Sequence, residues 1–239
     1  MWIFCCGAPR SGSTLQYNIA ATLVERSHLG KRIGYINPID FDKIQKLHKN
    51  VDSYLVLKCH ELSESMISEV KTNNAFVLYT YRDVRDVVVS MIKKFGRDFQ
   101  YYLDDGFIEN YLKFDDSIKG MTSAYISKYE ETIENLRQEI KNVSIFLKIE
   151  ISNLELKQMV DEFSLTKLKE FSNNKQNFSD ASAILDNNKN MYHQKTLLHK
   201  GHIISGESGQ YVKGLKNWEL KRIETKTGAW LQNNGYFLK

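Results

Sequence analysis

The chain has 239 residues, 42% of them hydrophobic and 26% charged, with a formal net charge of +4 at pH 7. That is enough apolar material for the core of one domain spanning 1–239, and too little positive charge, without a basic stripe or groove-reading helix, for a nucleic-acid binder. No window reaches the ~18 apolar residues of a membrane span, and the first strand starts at Trp2 without a leader pattern, so a cytoplasmic protein is expected.

Trp2–Cys6 is an apolar run that reads as a buried strand, and Ser13 to about Arg26 carries Leu15, Ile19, Leu23 and Val24 at helical spacing. Between them lies Gly7-Ala8-Pro9-Arg10-Ser11-Gly12-Ser13-Thr14. This is the spacing of a phosphate-binding loop, with Ser13 where the nucleoside-triphosphate form G-x4-G-K-[ST] has lysine, which argues against ATP or GTP. Backbone N–H groups, a helix N-terminus and two hydroxyls still suit a phosphate or sulfate, and Arg10 restores the missing charge.

Residues 33–36 read as a short strand, 40 to about 49 as a helix, Tyr54–Lys58 as a strand, 63–72 as a helix and Ala75–Tyr81 as a strand. Asp83 then caps a helix carrying Val87, Val88, Met91 and Ile92. The alternation predicts a parallel sheet covered on both faces, with ligand chemistry at the carboxyl ends of the strands. Residues 123–129 fit a fifth strand or a helix extended through Arg137, and further helices are expected near 132–148, 153–163, 166–173 and 217–233. Residues 174–214, rich in Asn, Lys, Ser and Gly, suggest a flexible lid over a ligand. Cys5 and Cys6 point to opposite faces of their strand, so these two and Cys59 are expected to be buried thiols, with neither a disulfide nor a metal.

Chemistry-bearing residues fall at strand ends. In Lys58-Cys59-His60-Glu61, a histidine at the mouth of a parallel sheet can act as a general base; the plainer alternative is a surface histidine. Arg82 ends a strand and Ser90 lies two helical turns on, so together they could hold a second phosphate, while an ion pair is the structural alternative for Arg82. Asp83 reads as an N-cap and Asp86 as the acidic residue of the first turn. His199-Lys200-Gly201-His202 fits an anion clamp better than a metal site, for want of a third ligand. Phe99, Tyr101, Tyr102, Phe107, Tyr111 and Phe114 would suit an aromatic pocket for a small apolar or phenolic ligand, but Phe107, Tyr111 and Phe114 have the i, i+4, i+7 spacing of core packing.

In this order the motifs resemble those of the sulfotransferases that use PAPS, 3′-phosphoadenosine 5′-phosphosulfate, over nearly the whole chain. Residues 7–15 resemble the family's 5′-phosphosulfate loop, 81–90 its 3′-phosphate motif and 198–201 its late Arg-Lys-Gly segment. Lys58 and His60 match a Lys-x-His whose histidine activates the acceptor; Tyr129-Glu130-Glu131 resembles Tyr-Glu-Asp, and Thr166-Lys167-Leu168 a Thr-Ser-Phe beside adenine. The resemblance implies a P-loop-like, three-layer α/β fold with a central parallel sheet flanked by helices. It implies in-line sulfuryl transfer from PAPS, without a metal, to a hydroxyl or amine of a small-molecule, carbohydrate or lipid acceptor, leaving adenosine 3′,5′-bisphosphate.

The implied roles follow the motifs. His60 takes the acceptor proton, with Glu61 as a competing base, while Lys58 and Arg10 stabilise the leaving oxygen. Arg10, Ser11, Gly12, Ser13 and Thr14 hold the 5′ group, Arg82 and Ser90 the 3′-phosphate, and Tyr129, Thr166, Leu168, His199, Lys200 and Gly201 complete the nucleotide site. Arg10 stands where many members have lysine, His199 replaces an arginine and so shifts weight to Lys200 and Gly201, and Leu168 replaces an aromatic. The family's dimer motif is not recognisable, which leaves assembly open. The rival readings are a small-molecule or nucleotide kinase and a noncatalytic nucleotide-binding relative.

Overall fold

The first strand sets the layering. In the computed structural model, which describes residues 1–179, 182–185 and 190–238, β1 (Trp2–Cys6) is buried along its whole length. Its alternate side chains enter two different cores: Ile3 and Cys5 face one, Trp2, Phe4 and Cys6 the other. Only a strand covered on both sides tolerates so continuous an apolar run.

Four more strands complete a five-stranded parallel sheet in the order β2-β3-β1-β4-β5: β2 (Gly30–Tyr35), β3 (Tyr54–Lys58), β4 (Ala75–Tyr81) and β5 (Ala124–Lys128). From β1 the chain moves past β3 to the edge, returns, then crosses to β4 on the other side. The loops leaving the carboxyl ends of β1, β3 and β4 therefore open around one crevice.

The helices are α1 (Ser13–Arg26), α2 (Phe41–Leu47), α3 (Glu64–Lys71), α4 (Val84–Phe95), α5 (Phe99–Asp104), α6 (Phe107–Lys119), α7 (Tyr129–Glu134), α8 (Leu136–Phe146), α9 (Asn153–Glu162), α10 (Leu165–Asn173), the single turn α11 (Tyr211–Gly214) and α12 (Asn217–Asn233). Ile19 and Leu23 of α1, Ile140 and Val143 of α8, and Leu156 and Met159 of α9 cover one face of the sheet. Phe41 of α2, Met66 and Val70 of α3, and Ile118 of α6 cover the other, with the Phe41 ring set edge-on to Trp2 at 5.1 Å. A third cluster packs Val84, Val87 and Val88 of α4 against Phe99, Tyr102, Tyr111 and, from α12, Ile223, Trp230 and Leu231. The aromatic run of residues 99–114 thus contributes to the interior, as its helical spacing suggests. The three cysteines are buried free thiols.

Some boundaries differ from the sequence expectation for identifiable reasons. The expected 132–148 helix is two helices, broken at Asn135 (φ −133°, ψ 64°), whose side chain accepts from the Gln138 N–H and starts α8. β5 is a half-exposed edge strand, so it lacks the all-apolar signature of its neighbours, yet it pairs with β4 from Val77 to Tyr81. Within the expected lid, β6 (Ala183–Leu185) and β7 (Met191–His193) form a small antiparallel hairpin. Residues 180–181 and 186–189 of that expected lid lie outside the described residues. No described helix is long and apolar enough to cross a membrane.

Candidate active site

The loop between β1 and α1 depends on two glycines. Gly7 sits at φ +151°, where a Cβ would lie 2.5 Å from the Thr80 carbonyl oxygen. Gly12 sits at φ +100°, where a Cβ would lie 2.5 Å from Cδ2 of Tyr129. A side chain at either position would collide with the neighbouring strand or ring, so the loop closes only as glycine allows. Ser11 tightens the turn by donating its hydroxyl to the Ala8 carbonyl at 2.7 Å, which directs that side chain inward and away from the cavity. Gly12, Ser13 and Thr14 form wall, at the N-terminus of a 14-residue helix with no acidic residue in its first turn and no side-chain cap. This end of α1 favours an anion.

Arg10 leaves the loop at φ +70° and reaches across the crevice. Its Nε donates to the Ser90 hydroxyl at 2.8 Å and its Nη2 to the His202 carbonyl at 2.7 Å. Arg82, at the end of β4, lies over the Tyr129 ring at 4.5 Å, donates through Nη2 to the Glu207 carbonyl at 2.7 Å and pairs with Asp86 at 3.2 Å. Its Nε is buried without a hydrogen-bond partner. Burial, followed by the charge of Arg82, lowers Arg10 to about 10. Two guanidinium groups thus stand together where water is largely excluded, an arrangement that an anion between them would relieve.

The end of β3 supplies a different pair. Lys58 is buried, its ammonium 5.3 Å from the Tyr35 ring centre, and burial lowers it to about 8. His60 is half-buried on the cavity wall, and its Nδ1 lies 2.8 Å from the Gly7 carbonyl. Because a carbonyl only accepts, Nδ1 carries the hydrogen and Nε2 keeps its lone pair. Burial first, then the Lys58 charge, lowers the imidazole to about 3, so it is neutral at any physiological pH. Glu61 is exposed and is not on the wall.

The cavity these groups share measures about 910 Å³. Leu136, Val160, Phe163, Leu165 and Leu168, from α8 and the α9–α10 region, give it an apolar stretch of wall. Of the sequence-derived candidates, the structure gathers Arg10, Gly12, Ser13, Thr14, Lys58, His60, Arg82, Ser90, Tyr129, Leu168 and His199 around it. It does not bring Thr166 or Lys200, both exposed, to the wall. The expectation that Lys200 and Gly201 take over from the missing arginine is corrected: Lys200 points to solvent, and the Gly201 N–H is used by the Ser172 carbonyl at 2.8 Å.

Residues 202–211 cross over the loop between β1 and α1 and are tied down at several points. Besides the carbonyls of His202 and Glu207, the Gly206 carbonyl accepts from the Tyr129 hydroxyl at 2.6 Å. Buried Asp86 accepts from the N–H groups of Gly209 at 2.8 Å and Tyr211 at 2.9 Å. Sequence reasoning placed Asp86 only in the helix's first turn; these two partners are more than 120 residues away and carry no local signal. Tyr35, Lys93, Lys94 and Phe95 also line the cavity unanticipated. Tyr35 ends a strand and the two lysines lie one turn beyond Ser90, so the signal for each was present in the pattern.

The family model for the sulfotransferase domain matches residues 2–203. The chain belongs to the sulfotransferase family. The sulfotransferase fold is shared with solved structures. A mouse sulfotransferase, SULT7A1, complexed with PAP is 18% identical, with 97% of this chain and 84% of that one aligned at a TM-score of 0.63. A retinol dehydratase in complex with androsterone and the inactive cofactor PAP is 14% identical, with 100% of this chain and 82% of that one aligned at a TM-score of 0.64. The same name describes a structure with retinol and PAP, 15% identical, with the same coverage and a TM-score of 0.63. A search of curated protein sequences finds no match.

In this sulfotransferase, Asp86 fastens the crossing segment at two adjacent points. Asp86→Ala should accelerate hydrogen exchange at the Gly209 and Tyr211 amides by about tenfold or more, the loss of roughly 1.5 kcal/mol of charge-assisted hydrogen bonding at each, while core amides of β1 and β4 stay protected. Unchanged exchange at both amides would show that the segment is held elsewhere.

Proposed function

We propose that this protein transfers a sulfuryl group from PAPS to an acceptor hydroxyl or amine. The observation that carries the reading is the pairing of Arg10 and Arg82 beside a phosphate-type loop that has Ser13 in place of the nucleotide-binding lysine. The donor set fits such a nucleotide: N–H groups at Gly12 to Thr14, the unpartnered Nε of Arg82, the Ser90 hydroxyl and Arg10 serve two anionic groups. The apolar wall from Leu136 to Leu168 suits a nucleobase by dispersion and burial rather than by an aromatic stack. PAPS supplies the activated sulfuryl group, and its transfer leaves PAP.

His60 is the base in this reading. Its Nδ1–H bond to Gly7 orients the ring, and its Nε2 lone pair takes the acceptor proton. The low basicity set by burial and Lys58 rises once an anion offsets that charge. Arg10 and Lys58 stabilise the charge that grows on the leaving oxygen; Arg10 stays protonated throughout and acts by charge alone. The bond from Arg10 to Ser90 joins the two anion positions, so filling one positions the other.

PAP at about 100 times its dissociation constant should raise the melting temperature by roughly 5–10 °C, and AMP, ADP or Mg-ATP at the same concentration by far less. An equal or greater response to Mg-ATP would favour a kinase and end this reading. His60→Ala should lose ~10²- to 10⁴-fold in kcat with PAP affinity almost unchanged; wild-type turnover in that variant would remove His60 from the mechanism.

Lys58 gives a pH signature. An anion bound beside it favours its charged form, so its pKa rises on binding from about 8 and protons are taken up above that pH. PAP affinity should fall as pH rises from 8 to 10, and calorimetry near pH 9 in buffers of different ionisation enthalpy should show proton uptake. Lys58→Arg should abolish that uptake; its persistence would assign the proton to another group.

A further inference from the structure

Resting on that reading, we infer that the acceptor is itself an anion: a hydroxyl or amine compound with an apolar body and a carboxylate-type group, seated between the Tyr35 and Phe95 side chains and the Lys93–Lys94 pair. The positive charge of the cavity extends beyond the groups that serve the nucleotide. Arg10, Lys58, Arg82, Lys93, Lys94 and Arg137 all line it, whereas Glu134 is the one carboxylate among the described lining residues.

Lys93 and Lys94 line the same cavity as His60 and Tyr35, and in this proposal they serve the acceptor. They lie three and four residues after Ser90 on α4, one turn further from the strand ends. Lys58, two residues before His60, lines the same cavity as Lys94, and the charges of both, with that of Arg10, act on the half-buried His202 ring. The apolar nucleobase wall is made by other elements, α8, α9 and α10. Lys93 is held by a neutral partner, the Gln210 side-chain oxygen at 3.0 Å, which leaves its charge uncompensated by that contact.

The body of the acceptor is read from the rim. Tyr35, Phe95 and Ile204 line the cavity while remaining 49%, 50% and 43% exposed. Three large, half-exposed side chains of this kind on the wall favour an apolar ligand surface over water. The Tyr35 ring lies 5.5 Å from that of His60, so an apolar body against it brings an attached hydroxyl toward the base. Lysines next to this surface then distinguish acceptors by charge, each good contact to an anion amounting to about a tenfold preference or more.

Two matched trios test this on the intact protein: 4-hydroxyphenylacetate, 4-ethylphenol and tyramine, and 10-hydroxydecanoate, 1,10-decanediol and 10-aminodecanol. PAP binding by calorimetry is read first and reports on the donor assignment alone. Binding of each trio to the PAP-saturated protein is then measured. The carboxylate member of at least one trio should bind about tenfold or more tightly than its neutral partner, and the ammonium member most weakly. In the Lys93→Met, Lys94→Met double variant this preference should vanish with PAP affinity unchanged. The inference is overturned if the neutral or ammonium member binds as well in both trios, if no carboxylate member binds, or if the double variant weakens PAP instead, which would assign the lysines to the donor.

Discussion

Two guanidinium groups are held side by side in a crevice from which water is largely excluded. Arg10 and Arg82 come from different strand ends, repel one another, and are kept in place by the Asp86 carboxylate, the Ser90 hydroxyl and three backbone carbonyls. Such a cluster lowers stability in isolation, and the rest of the site is arranged to tolerate it. The packed sheet supplies the rigidity, since Arg82 extends from a strand buried on both faces and Tyr111 brackets its backbone, accepting from the N–H and donating to the carbonyl.

The same cluster ties the chain together over long distances. Residues 202–211 lie over the loop because their carbonyls satisfy the arginines and their N–H groups satisfy Asp86. The two arginines of the proposed anion site are therefore also the side chains that fasten the covering segment. His60 joins this arrangement from the third strand end: its bond to the Gly7 carbonyl couples the ring orientation to the conformation of the phosphate-type loop. Substitution at Gly7 would accordingly disturb both the loop and the orientation of the His60 ring.

Much of the site was legible before folding because its elements are local. The glycine spacing of the loop, Arg82 and Ser90 two turns apart, and His60 after a strand each reflect a rule that operates within about ten residues, and the structure gathers all of them on one cavity. Candidates in the last third were harder. Lys200 and Gly201 were placed by motif alone, and the turn at 199–202 directs them to solvent and to Ser172. Thr166 lies on the exposed side of α10, while Leu165 and Leu168 reach the wall, a distinction set by helix rotation rather than by residue type.

Alternating apolar strands and helices, by themselves, dictated a parallel α/β sheet and the location of its chemistry at the strand ends, because side-chain periodicity and glycine sterics are properties of neighbouring residues. Only the tertiary structure decided what Asp86 fastens, where residues 202–211 lie, and which lysines share a cavity with His60. The first two depend on contacts between residues more than a hundred positions apart, and the third on which helix and strand ends meet around one cavity. Their energies come from burial and charge in a shared low-dielectric space, which exists only once the strands have assembled.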